Sequence, residues 1–237
     1  MKTVLITGGS SGIGEETAKL FAQDGYVVAI SYNTNSNGAE KVVDEIINNG
    51  GTAISFQAEL SKEVLAKELV EFVHKELGRI DVLVNNAGAY IDGDEWHGTD
   101  DIWLRTLAQN LVSVMNVSKY CIPIFEGQQS GTMVNIASRL GLSGSHEELA
   151  YGAAKAGVIN ITQGYAKLLA PYGRANSVSP GAVNTGYWLT APRDELEETV
   201  RNKPLGRLIE PIEVANAILY LGTSRSASTT GQNLVVN

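Results

Sequence analysis

The chain has 237 residues, of which 43% are hydrophobic and 19% are charged, with 25 glycines and 6 prolines. This composition excludes a disordered protein, a collagen-like chain and a coiled coil. The formal net charge of −8 argues against nucleic-acid binding, because an acidic surface repels phosphate backbones. One cysteine and three scattered histidines argue against a disulfide framework and against a metal centre.

The first apolar run of the chain stops after four residues at Gly8 and Gly9. That is too short for the core of a signal peptide or for a membrane span, and eighteen consecutive apolar residues occur nowhere. We therefore expect a cytoplasmic protein without a membrane segment.

Short apolar runs and segments of helical periodicity alternate along the whole chain. The runs predict strands at 4–6, 27–30, 52–56, 82–84 and 132–136, with weaker strands near 176–179 and 233–236. The periodic segments predict helices around 13–21, 39–47, 65–77, 101–125, 150–169 and 211–221. This alternation indicates an α/β fold, a doubly wound parallel sheet of about seven strands with helices on both faces. We expect one Rossmann-like domain over 1–237, with a small substrate lid near 187–203.

A glycine-rich loop joins the first predicted strand to the first helix. Glycines let the backbone approach a ligand closely, and a helix N-terminus offers free N–H groups and a positive dipole end. The spacing is Gly-x-x-x-Gly-x-Gly, not the commoner Gly-x-Gly-x-x-Gly, and a purely structural turn would look similar. The strand–loop–helix context favours a dinucleotide site. Its candidate residues are Thr7, Gly8, Ser10, Ser11, Gly12, Ile13 and Gly14.

The end of the second strand bears on the choice of nicotinamide cofactor. An acidic residue often holds the adenosine ribose at this place in NAD-binding folds, but none occurs between Asp24 and Glu40. The stretch also lacks lysine and arginine, so the positive argument for a 2′-phosphate is missing. We expect NADP(H) to be preferred, with NAD(H) still possible. The neutral side chains available to hold this part of the cofactor are Ser31, Tyr32, Asn33 and Thr34.

Tyr151 and Lys155 are four residues apart on a predicted helix and therefore share a face. An ammonium near a phenol favours the phenolate and lowers the phenol pKa, so the pair can act as a general acid–base. This spacing also occurs by chance on many helices. Other polar residues favour a functional role for the pair. Ser138 and Asn85–Gly88 follow neighbouring strands at the edge of the sheet where such folds bind ligands.

The chain resembles the short-chain dehydrogenase/reductase family over essentially its whole length, and most closely the branches of 3-oxoacyl-(acyl carrier protein) reductases and sugar dehydrogenases. The matching motifs occur in the family's order, near their usual separations. They are Thr7–Gly14, Asn85–Gly88, Asn110, Ser138, Tyr151, Lys155, Ser179–Gly181 with Thr185, Pro204–Arg207, Glu213–Ala215 and Thr230–Gln232.

The resemblance implies hydride transfer between a nicotinamide and a carbonyl or alcohol carbon. It implies that Tyr151 exchanges the hydroxyl proton, that Ser138 hydrogen-bonds the substrate oxygen, and that Lys155 holds the nicotinamide ribose. Asn110 would hold a water of a proton relay. Further cofactor contacts are implied for Glu59 and Leu60 (where the family usually has Asp-Val), Asn86, Ala87, Gly88, Pro180, Gly181, Val183 and Thr185.

Several residues in and before the predicted lid are candidates for contacting the substrate. The candidates for lining the substrate are Ser138, Leu140, His146, Tyr187 and Trp188, and the aromatic side chains indicate a partly apolar substrate.

The helices at 101–125 and 150–169 are apolar or small on more than one face, which predicts a homo-oligomer, a dimer or a tetramer. The sixth strand lacks an apolar residue that the family usually has before Arg174, so we expect it to be weak.

Three functions compete at this point. The first is an NADP(H)-dependent oxidoreductase for a small carbonyl or alcohol substrate. The second is an NAD-dependent sugar or polyol dehydrogenase. The third is a non-catalytic dinucleotide sensor, because a fold does not determine function. The intact set of Asn110, Ser138, Tyr151 and Lys155 argues against the sensor, since a protein that only binds has no need of Tyr151.

Overall fold

The computed structural model describes residues 1–237 and contains seven strands and nine α-helices. The strands are β1 (Thr3–Ile6), β2 (Val27–Tyr32), β3 (Ala53–Gln57), β4 (Val82–Asn85), β5 (Gly131–Ile136), β6 (Gly173–Pro180) and β7 (Asn233–Val236). The α-helices are α1 (Gly12–Gln23), α2 (Ser36–Asn48), α3 (Glu63–Leu77), α4 (Asp100–Leu107), α5 (Ser113–Gln128), α6 (Leu140–Ser143), α7 (Leu149–Leu169), α8 (Arg193–Arg201) and α9 (Pro211–Gly222). A π-helical segment, Ala108–Val112, joins α4 to α5.

All seven strands form one parallel sheet in the order β3-β2-β1-β4-β5-β6-β7. The strand order reverses at β1, which pairs with β2 on one side and with β4 on the other. Connections on the two sides of such a point diverge and leave a crevice at the carboxyl ends of the strands. The predicted fold class, a Rossmann-like doubly wound sheet, is confirmed.

The core lies on both faces of this sheet because successive residues of a strand point to opposite sides. In β1, Val4 and Ile6 belong to one buried cluster, which also contains side chains of α1, α2 and α9. Leu5 belongs to the other, which contains side chains of α3, α5 and α7. Helix α7, which carries two of the predicted catalytic residues, is thereby packed directly on the sheet.

The sixth strand differs from the expectation. It was expected to be weak, yet β6 is the longest strand, with eight residues. It pairs with β5 over six positions and with β7 over four, so its backbone is hydrogen-bonded on both edges. The guanidinium of Arg174 also donates to the carbonyl oxygens of Thr223 and Thr229, each at 3.0 Å. The strand therefore forms over its full length and is paired on both sides without the missing apolar side chain.

No helix of the structure combines the length and the apolar composition needed to cross a membrane.

Candidate active site

A cleft of about 500 Å³ opens at the carboxyl ends of β1 to β6. Each strand contributes the residues that follow it or end it. The lining includes Gly8 and Ser10–Ile13 after β1, Ser31–Asn33 at the end of β2, Ala58–Ser61 after β3, Asn86–Tyr90 after β4, Ile136–Ser138 at the end of β5, and Pro180, Gly181, Val183 and Thr185 after β6. Tyr151 and Lys155 of α7 and Trp188 complete it, so most of the predicted site residues lie in one cleft.

The glycine-rich loop presents free backbone donors to this cleft. The N–H groups of Gly12, Ile13 and Gly14 in the first turn of α1 have no acceptor within the protein, and Ser11 at the N-cap makes no side-chain capping bond. Gly12 has a φ of +55°, and a side chain there would collide with Thr185 Oγ1. The loop therefore leaves room for a ligand that accepts hydrogen bonds from the helix start.

Thr7 and Asn86 join the loops that follow β1 and β4. The Thr7 hydroxyl oxygen accepts the backbone N–H groups of Asn86 and Ala87, each at 2.9 Å. In return, the Asn86 amide donates to the carbonyl oxygens of Thr7 and Gly8, each at 3.0 Å. Thr7 itself does not line the cleft, and neither does Gly14, which packs on the Gly8 carbonyl. These two predicted residues shape the loop from behind.

The far end of the cleft, at β2 and β3, is polar. The Ser31 hydroxyl is buried, lines the cleft and has no hydrogen-bond partner, whereas the neighbouring Asn33 is exposed. Glu59 is the carboxylate at this end, and it pairs with Lys62 at 2.9 Å and accepts the Ser61 hydroxyl at 2.9 Å. Both contacts lower the pKa of Glu59, and the contact with Lys62 has the larger effect. Thr34 lies outside the cleft.

Ser138, Tyr151 and Lys155 meet at the other end, where β5 ends against α7. Lys155 is 3% exposed, and its ammonium nitrogen donates a hydrogen bond of 2.9 Å to the carbonyl oxygen of Ile136. The same nitrogen lies 5.5 Å from the centre of the Tyr151 ring. The Ser138 hydroxyl accepts the backbone N–H of Leu140 at 3.2 Å, which orients it at the start of α6.

Burial shifts the pKa values of this pair in opposite directions. Burial lowers the pKa of Lys155 to about 8. Burial also raises the pKa of Tyr151 to about 12, and the opposing effect of the Ser138 hydroxyl is smaller. The prediction that Tyr151 has a lowered pKa is therefore wrong for this structure, because loss of solvent disfavours the phenolate. At neutral pH the phenol is protonated and can act as an acid.

Asn110 lies in the π-helical segment and is completely buried. Its amide oxygen accepts the N–H of Ala89 at 3.1 Å, and its amide nitrogen donates to the carbonyl oxygens of Ala89 and Thr106 at 2.7 and 3.0 Å. The side chain therefore holds the loop after β4. A methyl group on Gly88 would lie 2.6 Å from the Asn110 amide oxygen and 3.3 Å from the Lys155 ammonium. Only glycine leaves this space free.

Three predicted substrate contacts lie outside the cleft. The side chain of His146 is 91% exposed beside Glu147, so the expectation that it faces the substrate is wrong. Leu140 starts α6 and does not line the cleft. Tyr187 is exposed outside the lining, with its ring against those of Tyr90 and Trp188 and its hydroxyl donating to Glu195 at 2.6 Å.

Sequence reasoning missed three polar or aromatic positions of the cleft lining. Tyr90 lines the cleft two residues after the Asn85–Gly88 motif, and that adjacency is the one signal that could have identified it. Gln109 and Ser113 line it from the π-helical segment and the start of α5, where no sequence pattern predicts the change of helical register. Lys203, which with Arg139 is a candidate for a basic patch near the mouth of the site, is half-buried outside the cleft lining, and its pKa is lowered by burial and by the nearby Arg139.

Comparison with known proteins places the chain in a family. The family profile described as Enoyl-(Acyl carrier protein) reductase matches residues 8–237. The chain is 37% identical to the 3-oxoacyl-(acyl-carrier-protein) reductase of Thermotoga maritima over 232 residues, which cover 98% of this chain and 94% of that protein. It is 34% identical to the protein of the same name from Staphylococcus epidermidis, covering 100% of this chain and 97% of the relative.

A third relative, from Bacillus subtilis, is described as an uncharacterized oxidoreductase. It is 35% identical over 246 residues, which cover 100% of this chain and 89% of that protein. The matches extend over the glycine-rich loop, the strand ends and α7 alike. The chain therefore belongs to the short-chain dehydrogenase/reductase family, and it is an NAD(P)-dependent oxidoreductase that acts on carbonyl or hydroxyl groups.

Proposed function

We propose that the protein transfers a hydride between NADP(H) and a carbonyl or hydroxyl substrate, with Tyr151 as the general acid–base. The observation that carries this proposal is the meeting of Ser138, Tyr151 and Lys155 at one end of the same cleft that contains the loop with free backbone donors. When bound, the nicotinamide supplies or accepts the hydride. The chain's own residues bind the dinucleotide, orient the substrate and move the proton.

Two polar features of the cleft fit a dinucleotide. The free N–H groups at the start of α1 suit a pyrophosphate, because they add to the positive end of the helix dipole. The unpartnered, buried hydroxyl of Ser31 needs an acceptor or donor, which an adenosine ribose or its phosphate would supply. Along the rest of the cleft, the residues proposed to hold the cofactor include Asn86, Ala87, Gly88, Pro180, Gly181, Val183 and Thr185.

The proton step follows from the two pKa values. Tyr151 is protonated at neutral pH and would donate its proton to the substrate oxygen as negative charge develops there. Ser138 would hydrogen-bond the same oxygen. Lys155, with a pKa of about 8, still carries its charge at neutral pH and would stabilise the phenolate that is left. In the reverse direction, the same groups would accept the proton from an alcohol.

A preference for NADP(H) over NAD(H) is part of this proposal. The cleft residues at the end of β2 are Ser31, Tyr32 and Asn33, none of which is a carboxylate, so a 2′-phosphate would meet no repulsion from them. Glu59, which follows β3, is the carboxylate in the cleft lining, and Lys62 neutralises it. Neutral donors would then hold the phosphate.

The substrate class that we propose is a 3-oxoacyl thioester, and it rests on two observations. Two of the relatives are described as 3-oxoacyl-(acyl-carrier-protein) reductases. In addition, Arg139 follows Ser138 directly, and neither Arg139 nor Lys203 has a carboxylate partner. Two neighbouring unpaired cations suit the acidic carrier of such a thioester. Tyr90 and Trp188 would pack against the acyl chain.

Two further features belong to the proposal. The segment 187–203 would serve as a lid, because Tyr187 packs against Tyr90 of the cleft and is bonded to Glu195 of α8. The chain would form a homo-oligomer through α4, α5 and α7, since these helices and the π-helical segment expose large apolar side chains. Those side chains are Leu104, Val112, Met115, Leu149 and Leu168.

A substrate panel with both cofactors tests the function. Purified protein is assayed with NADPH and NADH against simple ketones, 3-oxoacyl thioesters and oxidised sugars, and turnover is followed by the loss of reduced cofactor. We expect turnover with NADPH to be fastest on the thioesters. Faster turnover of sugars with NADH would replace the proposal by a sugar or polyol dehydrogenase. Binding without any turnover would replace it by a dinucleotide sensor.

A further inference from the structure

The loop between β4 and α4 contacts the start of α7 through a single acidic residue. The Asp94 side chain is completely buried. One of its carboxylate oxygens accepts the N–H of Ala150 at 3.1 Å, and the other accepts the N–H of Tyr151 at 2.7 Å. The Asp94 carbonyl oxygen accepts the N–H of Leu149 at 2.9 Å. One loop residue therefore binds three consecutive N–H groups, the third belonging to Tyr151.

These bonds supply what α7 lacks at its N-terminus. A helix leaves its first four N–H groups without internal partners. Glu148, at the N-cap, makes no side-chain capping bond, and its own N–H is donated to the Ser145 hydroxyl at 3.2 Å. The first internal bond runs from Gly152 N–H to the Glu148 carbonyl oxygen at 2.9 Å. Asp94 accounts for the three N–H groups in between.

Capping of α7 alone would not require a buried carboxylate from a distant loop. No lysine, arginine or histidine pairs with the Asp94 carboxylate, and burying an unpaired carboxylate is unfavourable unless hydrogen bonds compensate. A serine or asparagine at the N-cap would stabilise the helix without this penalty. Instead, the cap comes from a loop 56 residues away in the chain, which fixes α7 relative to that loop.

The same loop is fixed at its other end by a residue of the predicted catalytic set. Asn110 binds both the N–H and the carbonyl of Ala89, and Tyr90 next to it lines the cleft. The loop thus connects the amide of Asn110 with the backbone of Tyr151. A change at Asp94 would release the first turn of α7, where Tyr151 lies, while Lys155 one turn later keeps its bond to Ile136.

We propose that Asp94 is a positioning residue for Tyr151. Its carboxylate holds the backbone of Tyr151 so that the phenol meets Ser138 and Lys155, and it touches neither the substrate nor the cofactor. This inference rests on the proposed role of Tyr151 as the general acid–base.

Two variants and a matched control test it. Asp94→Ala removes both side-chain acceptors, Asp94→Asn keeps one, and Asp92→Asn makes the same change on an exposed residue of the same loop. At saturating NADPH we expect kcat to fall about 100-fold for Asp94→Ala and about tenfold for Asp94→Asn, because small misplacements of a reacting group have effects of this size. The dissociation constant of NADPH should stay within about twofold of the parent value, and Asp92→Asn should behave like the parent.

Three results would overturn the inference. The first is an unchanged kcat in folded Asp94→Asn. The second is a parallel loss of kcat and of NADPH affinity, which would indicate general disruption. The third is that neither variant folds, which would make Asp94 a residue of fold stability.

Amide hydrogen exchange gives a readout that does not need turnover. Protection of Ala150 and Tyr151 should fall in Asp94→Asn, whereas Lys155 should keep its protection. If the parent protein reduced no substrate, the proposed function would fail. Unchanged protection at Ala150 and Tyr151 would overturn the role of Asp94 independently of that result.

Discussion

The ammonium nitrogen of Lys155 lies 5.5 Å from the centre of the Tyr151 ring, one helical turn along α7. Burial lowers the pKa of Lys155 to about 8 and raises that of Tyr151 to about 12. The pair therefore places a phenol that still holds its proton beside a cation that remains charged at neutral pH. A phenol in this state can donate a proton, and the cation stabilises the phenolate that results.

The buried ammonium makes stability depend on pH in a defined direction. Because the pKa of Lys155 falls from 10.5 to about 8 on folding, unfolding takes up a proton between these values. The native state therefore gains stability as the pH rises through this window, and the penalty of the buried charge is fully present below it. Between pH 7 and pH 10 the gain should be about 2 kcal/mol.

Urea unfolding without cofactor measures this gain. The stability of Lys155→Met relative to the parent should decrease by about 2 kcal/mol from pH 7 to pH 10, since methionine does not titrate. Lys167→Met, an exposed position on the same helix, should show no such trend. A difference between Lys155→Met and the parent that is equal at both pH values would show that Lys155 is not desolvated.

A carboxylate at the β2 end of the cleft should reverse the cofactor preference. Asn33 is exposed and lines the cleft, so Asn33→Asp can be made without burying a charge. We expect the KM for NADPH to rise by about tenfold relative to that for NADH, because a repulsion of about 1.4 kcal/mol between the new carboxylate and the 2′-phosphate weakens binding by this factor. Asn37→Asp, exposed on α2 outside the cleft, is the control. An equal change for both cofactors would place the phosphate elsewhere.

The space beside Gly88 should not tolerate a side chain. A methyl group there would meet the Asn110 amide oxygen and the Lys155 ammonium, so Gly88→Ala should displace one of them and reduce kcat at least about tenfold. Gly164→Ala on α7 has open space around its new methyl group and should instead add about 0.5–1 kcal/mol of stability. Steady-state kinetics and thermal unfolding of both variants check this. A normal kcat in Gly88→Ala would show that the space beside Gly88 can accommodate a methyl group.

The unpaired cations near Ser138 should matter for large acidic substrates only. Arg139→Gln should raise the KM for a thioester on an acidic carrier protein severalfold, while the KM for the same acyl group on a small, neutral thiol stays constant. The carrier-linked KM of the parent should also rise with salt. Lys167→Gln serves as the control for loss of one positive charge. Equal effects on both thioesters would remove the carrier from the proposal.

Periodicity is sufficient for the strands and for most of the long helices, and spacing for part of the cleft, whereas the cofactor contacts after β3 and β6 come from the family resemblance alone. The strands were predicted because both faces of the sheet are buried, which makes each strand a short apolar run. Tyr151 and Lys155 were identified because four residues on a helix define a face. In both cases the pattern lies within a short stretch of the chain, so it can be read from the sequence.

The features that were missed depend on contacts between distant parts of the chain. Asp94 is one of several acidic residues in its loop, and only folding brings it to the N-terminus of α7. The π-helical segment at Asn110 changes the helical register without a sequence signal, so Gln109 was not expected in the cleft. The pKa of Tyr151 was predicted in the wrong direction because the spacing reveals the neighbouring ammonium but not the loss of solvent.

The measurement that tests the central claim most directly is kcat for Tyr151→Phe, taken with the panel substrate that the parent reduces fastest. At saturating NADPH we predict a loss of at least about 100-fold, the size expected for removal of a general acid, with the dissociation constant of NADPH within about twofold of the parent value. Tyr220→Phe, exposed on α9, should keep full activity. A kcat for Tyr151→Phe within about threefold of the parent would contradict the assignment of Tyr151 as the proton donor.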